Sequence, residues 1–264
     1  MALLLKDINS HERDFHIVFE EQGHKYYIKK EPGYTSVTTL IHNAFPKFNA
    51  DEVIDNMMKS PKWTESKYYG MTKEEIKKQW SSGNSNAASM GTAMHLMFEY
   101  YYNNIYQEKI DKYKDTIEYK YFTNFINDHE HFTPFRTEWN VYHEDYKIAG
   151  SIDMIFINND GTLSIYDWKR CKKIEKYNNF GKRSIVKGLK HIHDTNYWHY
   201  TLQLNMYKYI LEDKYGYTVK DLHLVVIHPD NEINNYEKIK LPFVQNEVQL
   251  LLKQKKTKIS QYFK

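Results

Sequence analysis

The stretch from Gly150 to Arg170, GSIDMIFINNDGTLSIYDWKR, carries two aspartates and a lysine at a spacing that could do chemistry. Asp167 and Lys169 are two residues apart, so on a β-strand their side chains share a face while Trp168 turns away towards packing. Two apolar runs, Ile152 to Ile157 and Leu163 to Tyr166, are joined by Asn158-Asn159-Asp160-Gly161. Runs of this kind split by Asp-Gly predict a tight β-hairpin. Asp153 then lies in the first strand and Asp167 at the end of the second. With Asp153 across from the Asp167–Lys169 pair, two acids and a lysine converge on one spot. Such a cluster is costly unless a divalent cation neutralises the acids.

The rest of the chain must position that hairpin. His16 to Lys30 alternates about Gln22-Gly23 and predicts an N-terminal hairpin, which Pro32-Gly33 should end. Ser36 reads as the N-cap of a helix beginning at Val37. Helical spacing over residues 50 to 80 predicts two helices ending near Trp80. SSGNSN, Ser81 to Asn86, carries a loop signal, and a helix is expected from Ala87 to Tyr101. Further helices are expected over Tyr113 to Asp128, Thr195 to Lys214, and from about Val244 onward. Thr137 to Tyr142 and Asp221 to His228 supply the remaining strands. No repeat or flexible linker divides the chain, so a single domain over 1–264 is expected. Within it, 1–86 forms the N-terminal hairpin and helical extension, 87–230 the core and 231–264 a C-terminal helix and basic tail.

Apolar residues make up 41% of the 264 and aromatic residues 16%, with 24 tyrosines, which supports a substantial core. Formal net charge is only +3, so any nucleic-acid footprint must come from local clustering. The single cysteine, Cys171, excludes a disulfide framework, a four-cysteine zinc site and a cysteine-ligated iron–sulfur cluster. No apolar run approaches the roughly 20 residues that span a bilayer. The start, MALLLKDINSHERDF, has too short an apolar core for a secretory signal. A soluble intracellular protein with no membrane partner is expected.

The element order, with its acids on adjacent strands, resembles the PD-(D/E)xK nuclease superfamily, in particular its RecB-like branch. That branch includes the nuclease domains of bacterial recombination helicases, the CRISPR adaptation nucleases and the mitochondrial genome maintenance exonuclease. The likeness runs from about Ala87 to His228, with a looser one from Tyr34 to Phe48. GTAMH supplies Gly91 and a metal-binding helical histidine, His95. Glu138 matches the glutamate before the first core strand. GSID matches G-x-x-D through Asp153, DWK matches (D/E)-x-K through Asp167 and Lys169, and QLNMY matches Q-x-x-x-Y through Gln203 and Tyr207. The resemblance implies an α/β, restriction-endonuclease-like fold with a mixed central sheet flanked by helices. It implies a metal-dependent DNA nuclease, an exonuclease acting on DNA ends or single strands in replication, recombination or repair. A structure-specific endonuclease and a non-catalytic DNA-binding subunit are the alternatives. The cysteines that some branch members use for an iron–sulfur cluster are absent.

Hydrolysing a phosphodiester needs an activated water, neutralised phosphate charge and a stabilised leaving oxygen, and one or two Mg²⁺ or Mn²⁺ ions can supply all three. Asp153 and Asp167 offer the oxygen ligands such ions prefer. By resemblance, His95 and the backbone carbonyl of Trp168 complete the set. Lys169 would orient the attacking water, with its pKa depressed by a nearby cation, and Gln203 and Tyr207, one helical turn apart, would hold the substrate backbone or brace the acids. Glu138 reads equally as a supporting acid or a strand-edge charge, and Glu99 as a solvated helix residue. His191, His193 and His199 suggest zinc but are better explained by a solvated loop. From Lys169 to Lys190 the chain is rich in bases with one acid, Glu175. A basic run is ordinarily a solvated face. Here it leaves the catalytic strand among Tyr177, Phe180, Tyr197 and Trp198, making Arg170, Lys172, Lys173, Lys182 and Arg183 candidates for a DNA strand. The tail KTKISQYFK resembles the motif that docks replication and repair enzymes on the sliding clamp PCNA, through Ile259, Tyr262 and Phe263. The plainer reading is that these residues close the last helix against the domain.

Overall fold

The computed structural model describes residues 3–178 and 180–262. Phe263 lies outside the described residues, as do the side chains of Ile259 and Tyr262. A short helix, α1 (Leu5–Ile8), precedes the antiparallel hairpin β1 (Ile17–Glu20) and β2 (Lys25–Ile28), whose turn carries Gly23 at φ 89°. Pro32-Gly33 does not end this unit. Both residues lie in a third strand, β3 (Glu31–Ser36), antiparallel to β2. Lys29 and Lys30, at φ 52° and 68°, make the two-residue connection. That twist suits a hairpin but ordinarily calls for Asn-Gly, so a Lys-Lys pair conceals it.

Ser36 caps α2 (Val37–His42), its hydroxyl accepting the Thr39 amide at 3.0 Å. Next come α3 (Ala50–Met58) and α4 (Lys73–Tyr102). The expected loop at SSGNSN is instead the middle of the 30-residue α4. A capping box between Thr72 and Glu75 starts α4, Ile76 anchors its first turns, and Met94, Met97 and Phe98 anchor its end in the core. Extending a helix that is held at both ends costs little per residue, so weak formers are carried through. Two smaller helices follow, α5 (Gln107–Ile110) and α6 (Ile117–Asp128). The remaining elements are β4 (Thr133–His143), β5 (Ile148–Ile157), β6 (Leu163–Lys169), α7 (Asn196–Lys214), β7 (Val219–Val226), β8 (Glu237–Lys240) and α8 (Gln245–Tyr262).

All eight strands among the described residues join one mixed sheet. β4, β5 and β6 form an antiparallel meander, and α7 lies in the connection that brings β7 back parallel to β6. β8, which no sequence signal announced, pairs antiparallel with β7. β5 divides one of its edges between two neighbours. Ile148 and Ala149 pair with β3, and Met154 to Ile157 pair with β6, so the stretch between them faces a fork. Alternation along the strands builds two cores. Met154, Phe156, Tyr166 and Trp168 pack with Phe98 of α4 and Phe122 and Phe125 of α6. Ile155, Leu163 and Ile165 pack on the other side with Leu204 of α7 and Leu251 of α8. The hairpin thus has helices on both faces, and its splayed end opens between them. No helix among the described residues is long and apolar enough to cross a membrane.

Candidate active site

The fork is where the predicted residues meet. Asp153 stands where β5 parts from β6, and its Oδ2 accepts the Trp168 amide at 3.0 Å in place of a strand partner. Trp168 is held by its indole, which stacks on Tyr102 and meets Phe98, Phe122 and Phe125 edge-to-face. That anchorage fixes the backbone between Asp167 and Lys169. Across the fork, His95 of α4 sets Nε2 2.9 Å from the Trp168 carbonyl oxygen. Its Nδ1 lies 3.5 Å from Glu138 Oε1 and 3.6 Å from Asp153 Oδ2. Both backbone groups of Trp168 are therefore engaged by the cluster.

Glu138 reaches it from β4 through an unusual backbone, φ 43°, a left-handed conformation inside a strand. Strain of this kind persists where the surroundings impose it and is concentrated at functional sites. Ser151 braces the carboxylate, its hydroxyl donating to Glu138 Oε2 at 3.1 Å. Asp167 is 2% exposed and contacts the Lys169 ammonium directly. Lys169 Nζ is also 3.9 Å from Asp153 Oδ2 and 4.9 Å from the centre of the Tyr200 ring.

The electrostatics follow from crowding charges out of water. Burial opposes a charge on His95, but Asp153 and the hydrogen bond to Glu138 outweigh it and hold the imidazole pKa up to about 9. Burial pushes the Asp167 carboxyl up, and the Asp153 charge pushes it further, against the pull of Lys169. Burial would likewise depress Lys169, but Asp167 and Asp153 raise it instead. The carboxylates raise the Lys169 pKa, so the lowered value expected beside a metal runs opposite to the direction that Asp167 and Asp153 impose.

His95, Glu138 and Asp153 each present a ligand atom within 4.8 Å of the others. Together with the Trp168 carbonyl they form a set of hard oxygens and one imidazole nitrogen, which suits Mg²⁺ or Mn²⁺. No thiolate is near enough to join it: among the described residues this is the only group of three His, Cys, Asp or Glu so placed. Glu138 thus stands among the ligand atoms, while Asp167 is engaged chiefly by Lys169.

Gln203 and Tyr207 project from α7 towards the same fork, the Gln203 amide donating to the Tyr207 hydroxyl at 3.4 Å. Tyr207 explains the glycine of GSID, because a Cβ on Gly150 would come within 2.8 Å of its ring and hydroxyl. Sequence reasoning missed Ser151 and Tyr200. Tyr200 had a signal, since it precedes Gln203 and Tyr207 at i, i+3 and i+7 on one helix face.

The basic candidates are more dispersed. Arg170 is 9% exposed in its side chain and bonded to Glu118 of α6 at 2.8 Å, which makes it an internal anchor. Lys172 and Lys173 are exposed and paired with Asp230 and Glu175. Arg183 donates to the His191 carbonyl, and the Lys182 amide donates to Asn178. His191 pairs with Glu247, and His199, which lies in α7 rather than a loop, pairs with Asp194, so these histidines do not converge.

A model of the PD-(D/E)XK nuclease superfamily matches residues 106–262, more than half of the chain. The matched span includes Glu138, Asp153, Asp167, Lys169, Gln203 and Tyr207 and begins after His95. A solved structure described as "Crystal structure of SSO0001" is similar over 85% of this chain and 75% of its own, at 14% identity and a TM-score of 0.34. No curated protein matches the chain.

Proposed function

The chain belongs to the PD-(D/E)XK nuclease superfamily, and on that premise we propose that it is a metal-dependent deoxyribonuclease, acting as an exonuclease on DNA ends or single strands in replication, recombination or repair. One observation carries this reading: His95, Glu138 and Asp153 converge with the Trp168 carbonyl on the fork that also holds Asp167 and Lys169. A scaffold that only bound DNA would gain nothing from acids packed this closely.

His95, Glu138, Asp153 and the Trp168 carbonyl would hold the cation. When bound, a divalent metal supplies charge neutralisation on the phosphate and a more acidic water. The residues do the rest. Asp167 fixes the Lys169 ammonium, which Tyr200 bounds on another side, leaving its remaining N–H donors for the attacking water or a phosphate oxygen. Gln203 and Tyr207 close the α7 side and position the sugar–phosphate backbone. Ser151 keeps the Glu138 carboxylate turned towards His95.

The test is incubation of the full chain with end-labelled linear and with circular DNA, single- and double-stranded, in Mg²⁺, Mn²⁺ or EDTA. Loss of linear substrate with circles spared, abolished by EDTA, is the expected result. Cleavage of circles makes it an endonuclease. Binding without cleavage in either metal overturns the enzymatic reading.

A further inference from the structure

Beside the ligand cluster, a slot of about 510 Å³ opens between the β1–β2 hairpin and α4, with His95 and Glu138 at its inner end. Its hairpin wall is aromatic: Phe19 lies 4.7 Å from Tyr26 and 4.9 Å from His24, centre to centre. Its opposite wall is the surface of α4 at Ala88, Gly91 and Thr92. The Thr92 hydroxyl is turned back onto the Ala88 carbonyl at 3.1 Å, and nothing lies within 4 Å of where a Gly91 Cβ would stand. This wall is therefore smooth, shallow and weakly polar. The carboxylates that line the slot are Glu21, Glu99 and Glu138, beside the imidazoles of His24 and His95, and the lining contains no lysine or arginine.

Away from the cation, three carboxylates with no lysine or arginine disfavour a phosphate there. A flat, uncharged ring meets no such repulsion, and aromatic walls stack such rings irrespective of sequence. We propose that this slot receives an unpaired nucleobase of the strand being cut, adjacent to the scissile phosphate, packed against Phe19 and His24 of the hairpin and against Gly91 of α4, with the buried Tyr26 backing Phe19. The proposal rests on the nuclease reading of the neighbouring cluster and adds the substrate class to it. A base held in a slot walled by protein on two sides has left its partner, so the strand is single at the point of cleavage. The backbone then lies on the opposite side, towards Lys169 and α7.

The probes are a fluorescein-labelled oligothymidylate, the same oligonucleotide with consecutive abasic positions, and a blunt duplex. Each is titrated against the full chain by anisotropy, with EDTA present to prevent cleavage. Phe19→Ala with His24→Ala should weaken binding of the oligothymidylate about 10-fold and leave the abasic strand unaffected. Gly91→Leu fills the slot from a half-buried helix position with open space beside its Cβ and improves helix propensity, so it keeps the fold. It should weaken the oligothymidylate by a similar factor while calorimetric Mn²⁺ affinity stays unchanged. Equal affinity of Gly91→Leu and unmodified protein for the oligothymidylate overturns the slot, as does equal loss on the abasic strand. If the unmodified chain cuts no DNA in either metal, the nuclease reading itself has failed. Cleavage that persists with unaltered binding in the slot variants removes the slot alone.

Discussion

At the scale of single residues, Asp167 and Lys169 are bound together by burial. Lys169→Met would leave Asp167, 2% exposed, without its cation. Breaking a buried pair from one side costs about 3–5 kcal/mol. We expect Lys169→Met to lower the unfolding free energy by that order in urea titrations and to abolish cleavage. Asp167→Asn, which removes the charge but keeps the shape, should lose at least about 10²-fold in turnover and remain folded at 25 °C. Turnover near normal in either variant would place the chemistry elsewhere. Much of this was legible in the sequence, because the two-residue spacing of Asp167 and Lys169 fixes a shared face on any strand. The place of Glu138 was not, because it depends on a left-handed φ inside β4 that no residue type announces.

At the scale of elements, α7 and β5 are fitted to each other through Gly150. Gly150→Ala places a methyl within 2.8 Å of the Tyr207 ring and hydroxyl, so Tyr207 or the helix must move. Overpacking of this kind costs about 1–3 kcal/mol, and cleavage should fall with it because Gln203 moves too. Gly150→Ala paired with Tyr207→Leu should recover stability but not activity, as thermal melts and cleavage assays would reveal. A second element has a pH signature. His223 of β7 packs on Tyr166 at 4.6 Å, and burial, aided by the Lys238 charge, lowers its pKa to about 4. The unfolded imidazole takes a proton near pH 6.5 and the folded one does not. The stability this confers is complete above pH 6.5 and lost as pH falls towards 4. The loss should amount to about 2–3 kcal/mol and be absent in His223→Phe, measured by urea unfolding at pH 7 and 4.5. Element types were legible where local patterning was strong, as in the central hairpin. β3 and the middle of α4 were not, since Lys-Lys in a primed turn and Ser-Gly-Asn in a helix both contradict local propensity. Tertiary anchoring decided both.

At the scale of the whole molecule, the segment before β1 is tied to the sheet by Asp14. That carboxylate accepts Arg136 Nη1 and Trp139 Nε1, each at 2.7 Å, and Arg136 is itself buried. Asp14→Ala strands the Trp139 indole N–H and leaves buried Arg136 without its counter-charge, with only the Asn9 carbonyl as acceptor for Nη1, and should cost about 3–5 kcal/mol, read as a lowered urea midpoint with metal affinity retained. The same assembly brings α4, β4, β5 and β6 to one fork, and the central claim is that this fork holds a divalent cation. Calorimetric titration of Mn²⁺ into the full chain, compared with Asp153→Asn and Glu138→Gln, tests that claim most directly. The account predicts saturable binding by the unmodified protein, weakened at least about 10-fold in each variant while their thermal melts are maintained. Binding of Mn²⁺ at unchanged affinity in both variants, or no binding by the unmodified chain, would contradict it.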